Sequence, residues 1–263
     1  MSHPLNPQAL CRLYLDAVLP CFADLAAQDK EAQQAIAGWD CVIGFRVLGG
    51  PAASLEITGG RILYRKGCPK AATVSLVFLG DGHLNAFFSG KKWALPVVAW
   101  GLWHIGILIG FSALAERLQH ILEGAPEILA SDEGRRLFTR LTLITAGLGL
   151  KPLAEYDAPA RELLAHLPPG LASFTIEGEP EATVWFDNRP ALPNKTDAGW
   201  GVPPRRPDVA IRFADREIAY GALRDEIDTM AAVGLRQIVV DGLVPLADGL
   251  NLVMERLRAY LEP

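Results

Sequence analysis

The residues that come closest to a catalytic motif are Gly110-Phe111-Ser112, which follow a short apolar run. A serine at a sharp turn between a strand and a helix is the nucleophile of α/β-hydrolases, whose motif is G-x-S-x-G. Here Leu114 stands where the motif has its second glycine, and its side chain would crowd the turn. His166, the histidine far downstream, lies in a stretch with a helical pattern. We therefore predict that Ser112 caps a helix and that the protein is not an enzyme.

Signatures of metal and cofactor sites are missing from the sequence. It contains neither of the common glycine-rich phosphate-binding motifs, G-x-x-x-x-G-K-[ST] and G-x-G-x-x-G. Its histidines are scattered without the spacing H-E-x-x-H, and its four cysteines form no C-x-x-C pair. We predict that the protein needs no cofactor and no metal, and that its cysteines are reduced thiols. The histidines are His3, His83, His104, His120 and His166, and the cysteines are Cys11, Cys21, Cys41 and Cys68.

The composition excludes two classes of protein. Of the 263 residues, 50% are hydrophobic and 21% are charged, which excludes a disordered chain and allows a substantial core. The formal net charge is −5, so the chain lacks the basic excess of a nucleic-acid-binding protein, and we predict no nucleic acid partner. The N-terminal sequence MSHPLNPQAL has neither the basic segment nor the apolar core of a signal peptide, which predicts a cytoplasmic protein. The sequence gives no indication of an oligomeric state.

One segment, residues 93–115, is apolar enough to raise the question of a membrane. His104 is its only ionisable residue, and its length is sufficient for a helix to cross a bilayer. Pro96 and several glycines interrupt it, however, and within it the run His104–Ile109 has the pattern of a buried strand. After this strand the pattern predicts a helix over residues 112–122.

A weak internal repeat bears on this question. The stretch that begins at Gly110 resembles the stretch that begins at Gly242, and upstream runs match in the same order. The counterpart of residues 93–115 carries several acidic and basic residues, which a bilayer helix would not tolerate. We therefore predict two units of the same fold, in which residues 93–115 form a buried or ligand-facing element. The aligned pairs are Leu114 with Leu246 and Leu118 with Leu250, and upstream Thr73–Phe78 with Asp208–Phe213.

The remaining pattern predicts helices at both ends of the chain and strands in each half. Glycine and proline turns separate the first strands, which indicates a meander of antiparallel strands. A helical stretch connects the halves, and the proline-rich stretch Pro190–Pro207 predicts a loop where the second half would have its third strand. The predicted strands are Cys41–Leu48, Ser54–Thr58, Arg61–Lys66 and Thr73–Phe78, then Leu171–Glu177, Ala182–Phe186, Val209–Phe213 and Leu235–Val240, and the last helix is 245–261.

The order of these elements and five stretches of sequence resemble the sterol carrier protein family, in both halves. The stretches are PKAATVSLVF, SGKKW and IGILIGFSALAERLQHIL in the first half, and RPDVAIRFADREI and GLRQIVVDGLVPLADGLNLVMERL in the second. The resemblance implies an α+β fold of two sterol-carrier-like units, each an antiparallel sheet covered by helices. It places them at residues 1–124, which include the N-terminal helices, and at residues 169–263, joined by a helical connector at residues 125–168.

The resemblance also implies a function, because members of the family bind lipids, sterols or fatty acyl groups in an apolar tunnel without catalysing a reaction. We expect non-catalytic binding or carriage of a hydrophobic small molecule or lipid in an apolar pocket of the first unit. The second unit lacks the Gly-Lys element and a clean third strand, which predicts that it is closed and structural.

The aromatic residues between Phe87 and Phe111 allow three interpretations. They form part of the core, or the wall of such a pocket, or a surface that docks on a partner or transiently on a membrane with the help of Lys91 and Lys92. In the third case the protein is an interaction protein or an accessory subunit that docks through residues 93–115. The predicted ligand-binding residues are Phe87, Phe88, Trp93, Val97, Trp100, Trp103, Leu114 and Leu118.

Overall fold

The structure, a computed structural model, describes residues 5–67, 69, 71–189 and 196–261. The chain divides into two compact units. The first unit is Leu10–Leu129, and the second is Ala130–Pro263 together with the N-terminal segment that ends at Ala9. Cys68 and the start of the proline-rich stretch, residues 190–195, lie outside the described residues.

The first unit contains the strands β1 (Cys41–Val47), β2 (Ala52–Thr58), β3 (Arg61–Lys66), β4 (Val74–Phe78) and β5 (Val97–Trp100). They form one sheet in the order β3-β2-β1-β4-β5. β1, β2 and β3 are joined by antiparallel hairpins, as the turn signals predict. β4 then returns to the other side of β1 and pairs with it in parallel. β5 lies antiparallel to β4 and forms an edge of the sheet.

Helices precede and follow these strands. α5 (Ile105–Leu122) buries Phe111, Leu114 and Leu118, which recur at helical spacing on one face. The Phe111 ring lies 5.3 Å from Phe22 and 5.6 Å from Phe45 of β1, so this face packs in the same core as the sheet. The other elements are α1 (Pro7–Leu13), a π-helical turn (Tyr14–Val18), α2 (Cys21–Gln28), α3 (Lys30–Ala35), α4 (Asp81–Phe88) and, after α5, α6 (Pro126–Leu129).

The second unit repeats this strand arrangement. Its strands are β6 (Gly170–Ile176), β7 (Glu179–Asn188), β8 (Asp197–Trp200), β9 (Val209–Phe213) and β10 (Ile238–Gly242), in the order β10-β9-β6-β7-β8. β6 pairs antiparallel with β7 and parallel with β9, as β1 does with β2 and β4. β8 and β10 are the edges, each antiparallel to its neighbour.

The helices of the second unit include most of the stretch 125–168, which the sequence predicts to be helical. They are α7 (Asp132–Tyr156), α8 (Ala158–His166), α9 (Arg216–Leu223), α10 (Thr229–Gly234) and α11 (Val244–Leu261). α7 packs against β7 and β8. Gly147 permits this close packing, since a Cβ there would lie 2.7 Å from the Val184 side chain.

The predicted fold class, α+β with two sheet-and-helix units, is confirmed. The sheets are not wholly antiparallel, however, because β1 with β4 and β6 with β9 form parallel pairs. Alternation of apolar residues along a strand does not depend on the direction of its neighbour, so the pattern could not reveal this. The loop prediction for Pro190–Pro207 is wrong over Asp197–Trp200, which is the third strand of its sheet.

The predicted strand His104–Ile109 is also wrong, because the chain is helical from Ile105 onward. A short apolar run without alternation fits a buried strand and a helix equally well, and here it is the start of the helix predicted at residues 112–122. Ser112 therefore lies inside α5 and does not cap it, since His104 holds the N-cap position.

Backbone geometry identifies which glycine of the first unit corresponds to Gly242. Gly242 ends β10 and Gly101 directly follows β5, and both have a positive φ. A Cβ on Gly101 would overlap the carbonyl oxygen of Thr73, and a Cβ on Gly242 would overlap that of Asp208. Gly110 lies within α5, so its predicted alignment with Gly242 is wrong. The predicted pairs Leu114 with Leu246 and Leu118 with Leu250 are wrong for the same reason.

Each unit ties its long helix after the last strand, α5 or α11, to an earlier helix through a buried aspartate. Asp29 accepts a backbone N–H at the start of α3, and its Oδ2 lies 2.7 Å from Nη2 of Arg117 in α5. Asp157 accepts a backbone N–H at the start of α8, and its Oδ1 lies 2.8 Å from Nη2 of Arg256 in α11. Burial raises the pKa of Asp157, but hydrogen bonds from Arg256 and Tyr260 outweigh burial and hold that pKa below its ordinary value.

Candidate functional site

The first unit exposes large apolar side chains throughout residues 93–109. Eight of them are between 50% and 71% exposed, and so many exposed apolar side chains in one short stretch of sequence are unusual in a folded protein. We call this set the apolar surface. It consists of Trp93, Leu95, Val97, Trp100, Leu102, Trp103, Ile105 and Ile109.

Three consecutive elements present the apolar surface. Trp93 and Leu95 lie in the segment that leads from α4 to β5, and β5 itself is a sheet edge. Gly101 then turns the chain with a φ of 85°, and the His104 N–H donates to its carbonyl oxygen at 2.9 Å. The first turns of α5 follow and carry Ile105 and Ile109. The exposed residues thus come from a segment, a strand and a helix start that follow each other directly.

Ring contacts connect parts of this surface to each other and to the residues beneath it. The rings of Trp100 and Trp103 meet edge to face, with centroids 4.8 Å apart. The ring of Trp93 stacks on the imidazole of His83 at 6.5 Å, with an angle of 8° between the planes. The same imidazole meets the ring of Phe78, at the end of β4, at 5.7 Å.

His83 also makes two hydrogen bonds to the backbone. The Leu79 N–H donates to its Nδ1 at 3.1 Å, so Nδ1 carries no proton. Its Nε2 lies 3.2 Å from the carbonyl oxygen of Leu95 and therefore donates to it. The imidazole is in this way a bridge between the end of β4 and the segment before β5.

The charged residues that directly precede the apolar surface in the sequence are basic. Lys91 and Lys92 precede Trp93 directly and are exposed, and residues 93–115 contain no acidic residue. Within the described residues, α5 is the one helix whose length and composition would suit a membrane span, and 22% of that helix is buried. The segment 93–115 as a whole is not a single helix, because β5 and a turn precede α5.

The structure divides the eight predicted ligand-binding residues into three groups. Trp93, Val97, Trp100 and Trp103 are exposed, so the interpretation of the aromatic residues as core packing is wrong for these tryptophans. Leu114 and Leu118 are buried on the inner face of α5. Phe87 and Phe88 are partly buried, and their rings lie 5.4 Å apart. A pocket lined by all eight stays a prediction.

Sequence reasoning missed Leu95, Leu102, Ile105, Ile109 and His83. The absence of charge between Lys92 and Glu116 was the signal for the four aliphatic residues, and it did not show whether they would be buried or exposed. Nothing in the sequence around His83 indicates its two backbone partners, because Leu95 lies beyond a helix.

Among the described residues, the groups most suited to metal binding or nucleophilic chemistry are not placed for it. No group of three or more histidine, cysteine or acidic side chains among them is placed to hold a metal ion. The described cysteines, Cys11, Cys21 and Cys41, are buried, and none of the three is in a disulfide. Burial, and then the nearby Asp81, raise the pKa of Cys11 above its ordinary value, so this thiol stays protonated and is a poor nucleophile.

Comparisons with known proteins add one structural likeness. No family model matches the chain, and no curated protein matches it. A solved structure with similarity is the solution structure of the sterol carrier protein domain 2 of Helicoverpa armigera, at 18% identity, over 41% of this chain and 80% of that domain, with a TM-score of 0.29. Similarity at this level does not assign the chain to a family.

Proposed function

We propose that the protein binds lipid without catalysing a reaction, and that the first unit does so by laying its apolar surface on a lipid assembly. The observation that carries the proposal is the exposure of eight large apolar side chains, three of them tryptophans, beside two exposed lysines and without an acidic residue. Tryptophan is enriched where membrane meets water, and lysine is attracted to anionic headgroups.

The free energy available from this surface is comparable to the lower estimates of the cost of association. Full burial of one large apolar side chain is worth about 1.5–3 kcal/mol. Burial of only a third of eight such side chains therefore gives on the order of 5 kcal/mol, and each lysine near an anionic surface adds about 1 kcal/mol. This sum exceeds the lower estimates of the cost of association, about 4 kcal/mol.

A carrier role is the finer form of the proposal. One acyl chain would lie in an apolar pocket that extends from the exposed Trp93, Val97, Trp100 and Trp103 to the buried Leu114 and Leu118. Phe87 and Phe88 are partly exposed, with rings 5.4 Å apart, and in this form of the proposal they would also contact the acyl chain.

Docking of a protein partner is a second candidate function, and the character of β5 favours it. Sheet edges are usually protected against pairing by charged residues. Among the described strands, the edges β3, β8 and β10 each contain a charged residue, and β5 contains none. A strand of another protein could therefore add to β5.

Flotation of the full chain with vesicles of phosphatidylcholine and phosphatidylglycerol tests lipid binding. We expect the wild type to float and Trp100→Glu to lose roughly 30-fold in partitioning, because a carboxylate at the acyl boundary costs about 2 kcal/mol. Trp200→Glu is the matched control, since Trp200 also ends an edge strand and is partly exposed. Lipid binding is rejected if the wild type binds neither vesicles nor a fluorescent fatty acid.

A further inference from the structure

The backbone of β5 is irregular, whereas the other sheet edges of the described residues are regular. Val98 of β5 pairs with Leu76 of β4. The preceding residue of β4, Ser75, pairs with Trp100, so Ala99 is an extra residue in the ladder. An extra residue of this kind is a β-bulge, which bends its strand and leaves one residue unpaired. The ladders of β3, β8 and β10 with their neighbours run without such a shift.

The second unit has the same edge without the extra residue. There the ladder of β10 with β9 runs residue by residue from Ile238 to Gly242. The first unit uses one residue more for the same distance, from Pro96 to Gly101, the glycine equivalent to Gly242. The bulge is therefore an insertion in β5, and the strand arrangement that both units share folds without it.

Pro96 interrupts the same edge just before β5. It precedes Val97, which pairs with Val77, at the place where β10 begins with Ile238. A proline has no N–H, so it offers no donor to a strand on either side. Between Pro96 and the bulge only Val97 and Val98 remain in regular order, whereas strands usually have about three residues or more. A strand of another chain therefore finds no regular run of residues to pair with on β5.

The sheet edges of the described residues are thus protected against an added strand in two different ways. β3, β8 and β10 are regular, and each carries at least one charged residue. β5 carries no charged residue, but it is short, bulged and preceded by a proline. Bulges and prolines protect an edge as charged side chains do. Irregular backbone therefore takes the place of charge at β5.

Charge is the form of protection that a lipid-binding edge cannot use. A charged group at the position of Trp100 would enter the acyl region when the apolar surface meets lipid, which is unfavourable. A bulge and a proline exclude strands without placing a charge there. We infer that Pro96 and Ala99 are specificity-determining residues, which exclude protein strands from the apolar surface and leave it to lipid. The inference rests on the proposed function, and it argues against strand addition at β5, the second candidate.

Two variants of the full chain test the inference by making β5 regular. The regular-edge variant lacks Ala99 and carries Pro96→Ile, so its edge has the pattern of β10 without the charge. The charged-edge variant carries Trp100→Asp in addition, which supplies the charge that Asp241 gives β10. Both variants have the same backbone change, so a difference between them in association is caused by the charge and not by misfolding. Circular dichroism checks that both are folded.

Sedimentation velocity without lipid measures association of the chains. We expect the wild type to sediment as one chain and the regular-edge variant to form pairs or larger assemblies, because its edge is then regular and uncharged. The charged-edge variant should sediment as one chain again. Its dissociation constant should exceed that of the regular-edge variant by on the order of 100-fold, since the joined strands would bring two carboxylates together.

Flotation with vesicles of phosphatidylcholine and phosphatidylglycerol measures lipid binding of the same proteins. Association through β5 would cover part of the apolar surface, so flotation of the regular-edge variant should depend on protein concentration. It should fall about fivefold below the wild type when the chain concentration is about ten times the dissociation constant of the pair. On dilution it should equal the wild type.

The inference is overturned if the regular-edge variant associates no more strongly than the wild type, or if the charged-edge variant associates as strongly as the regular-edge variant. It is also overturned if the associated regular-edge variant floats as well as the wild type, since strands and lipid would then not compete for the surface. If association follows the edge as expected but the wild type does not float, the protection of β5 stands and the proposed lipid binding fails. If the wild type floats and the edge variants do not differ in association, the roles of Pro96 and Ala99 fail alone.

Discussion

The two units share a framework and differ at one sheet edge. Ser75 of β4 pairs with Trp100 in the first unit, and Ala210 of β9 pairs with Asp241 in the second. Trp100 is one of eight exposed apolar residues, whereas Asp241 is an exposed carboxylate 3.8 Å from Arg212. The same strand order therefore folds with either kind of edge. Since the fold does not require the apolar surface, we attribute that surface to function.

The difference between the edges is local. The second unit also exposes Met230 and Leu235 near the start of β10, but Asp228, Arg236 and Asp241 accompany them. Mixed charge of this kind is typical of an ordinary protein surface. The first unit has a run without charge at the corresponding place, and the proposed lipid binding rests on this feature.

The largest effect is expected at the glycines that the units share. Gly101→Ala and Gly242→Ala should each lower the free energy of unfolding of their unit by on the order of 3 kcal/mol, because the added Cβ overlaps a backbone carbonyl oxygen at a positive φ. Urea unfolding followed by circular dichroism measures the loss. Gly59→Ala is the control, since Gly59 has a positive φ but open space around it, and about 1 kcal/mol is expected. Unequal losses at Gly101 and Gly242 would contradict their equivalence.

The next effect concerns the buried aspartates. Arg117→Ala and Arg256→Ala each remove the arginine partner from a carboxylate that is 1–2% exposed, and each should cost roughly 2 kcal/mol in unfolding free energy. Asp157 keeps the hydroxyl of Tyr260 at 2.6 Å, so Arg256→Ala should be the milder of the two. The control is Arg258→Ala. Arg258 lies on α11, as Arg256 does, but its ion pair with Asp225 is exposed, so its loss should change the free energy of unfolding little. If Arg117→Ala leaves the free energy of unfolding unchanged, the ion pair of Arg117 with Asp29 does not stabilise the first unit.

The sequence predicted the framework better than the site, for physical reasons. Turn residues and alternation located β1 to β4 within one or two residues, because these signals are local. The parallel return of β4 to β1, the pair Asp29 with Arg117 and the bridge at His83 depend on residues that are distant in the chain. Periodicity also failed at Ile105, where an apolar run begins a helix, and it could not show that Trp93 and Trp100 are exposed. An apolar residue in a functional surface and one in a core look the same in sequence.

The smallest effect on stability is the most informative about function. It is expected for two variants that exchange the residues at equivalent positions of the edge strands β5 and β10. Trp100→Asp and Asp241→Trp should each change the free energy of unfolding by no more than about 0.5–1 kcal/mol, because both side chains are mainly exposed. The first loses an edge-to-face contact with Trp103, and the second loses a weak surface ion pair with Arg212. Urea unfolding measures the stability of both variants, and vesicle flotation measures their lipid binding, so the two properties are determined separately. Trp100→Asp should be nearly as stable as the wild type and fail to float. If it instead loses more than about 2 kcal/mol, the indole is part of what holds the first unit folded, and its exposure no longer distinguishes a functional edge from a structural one.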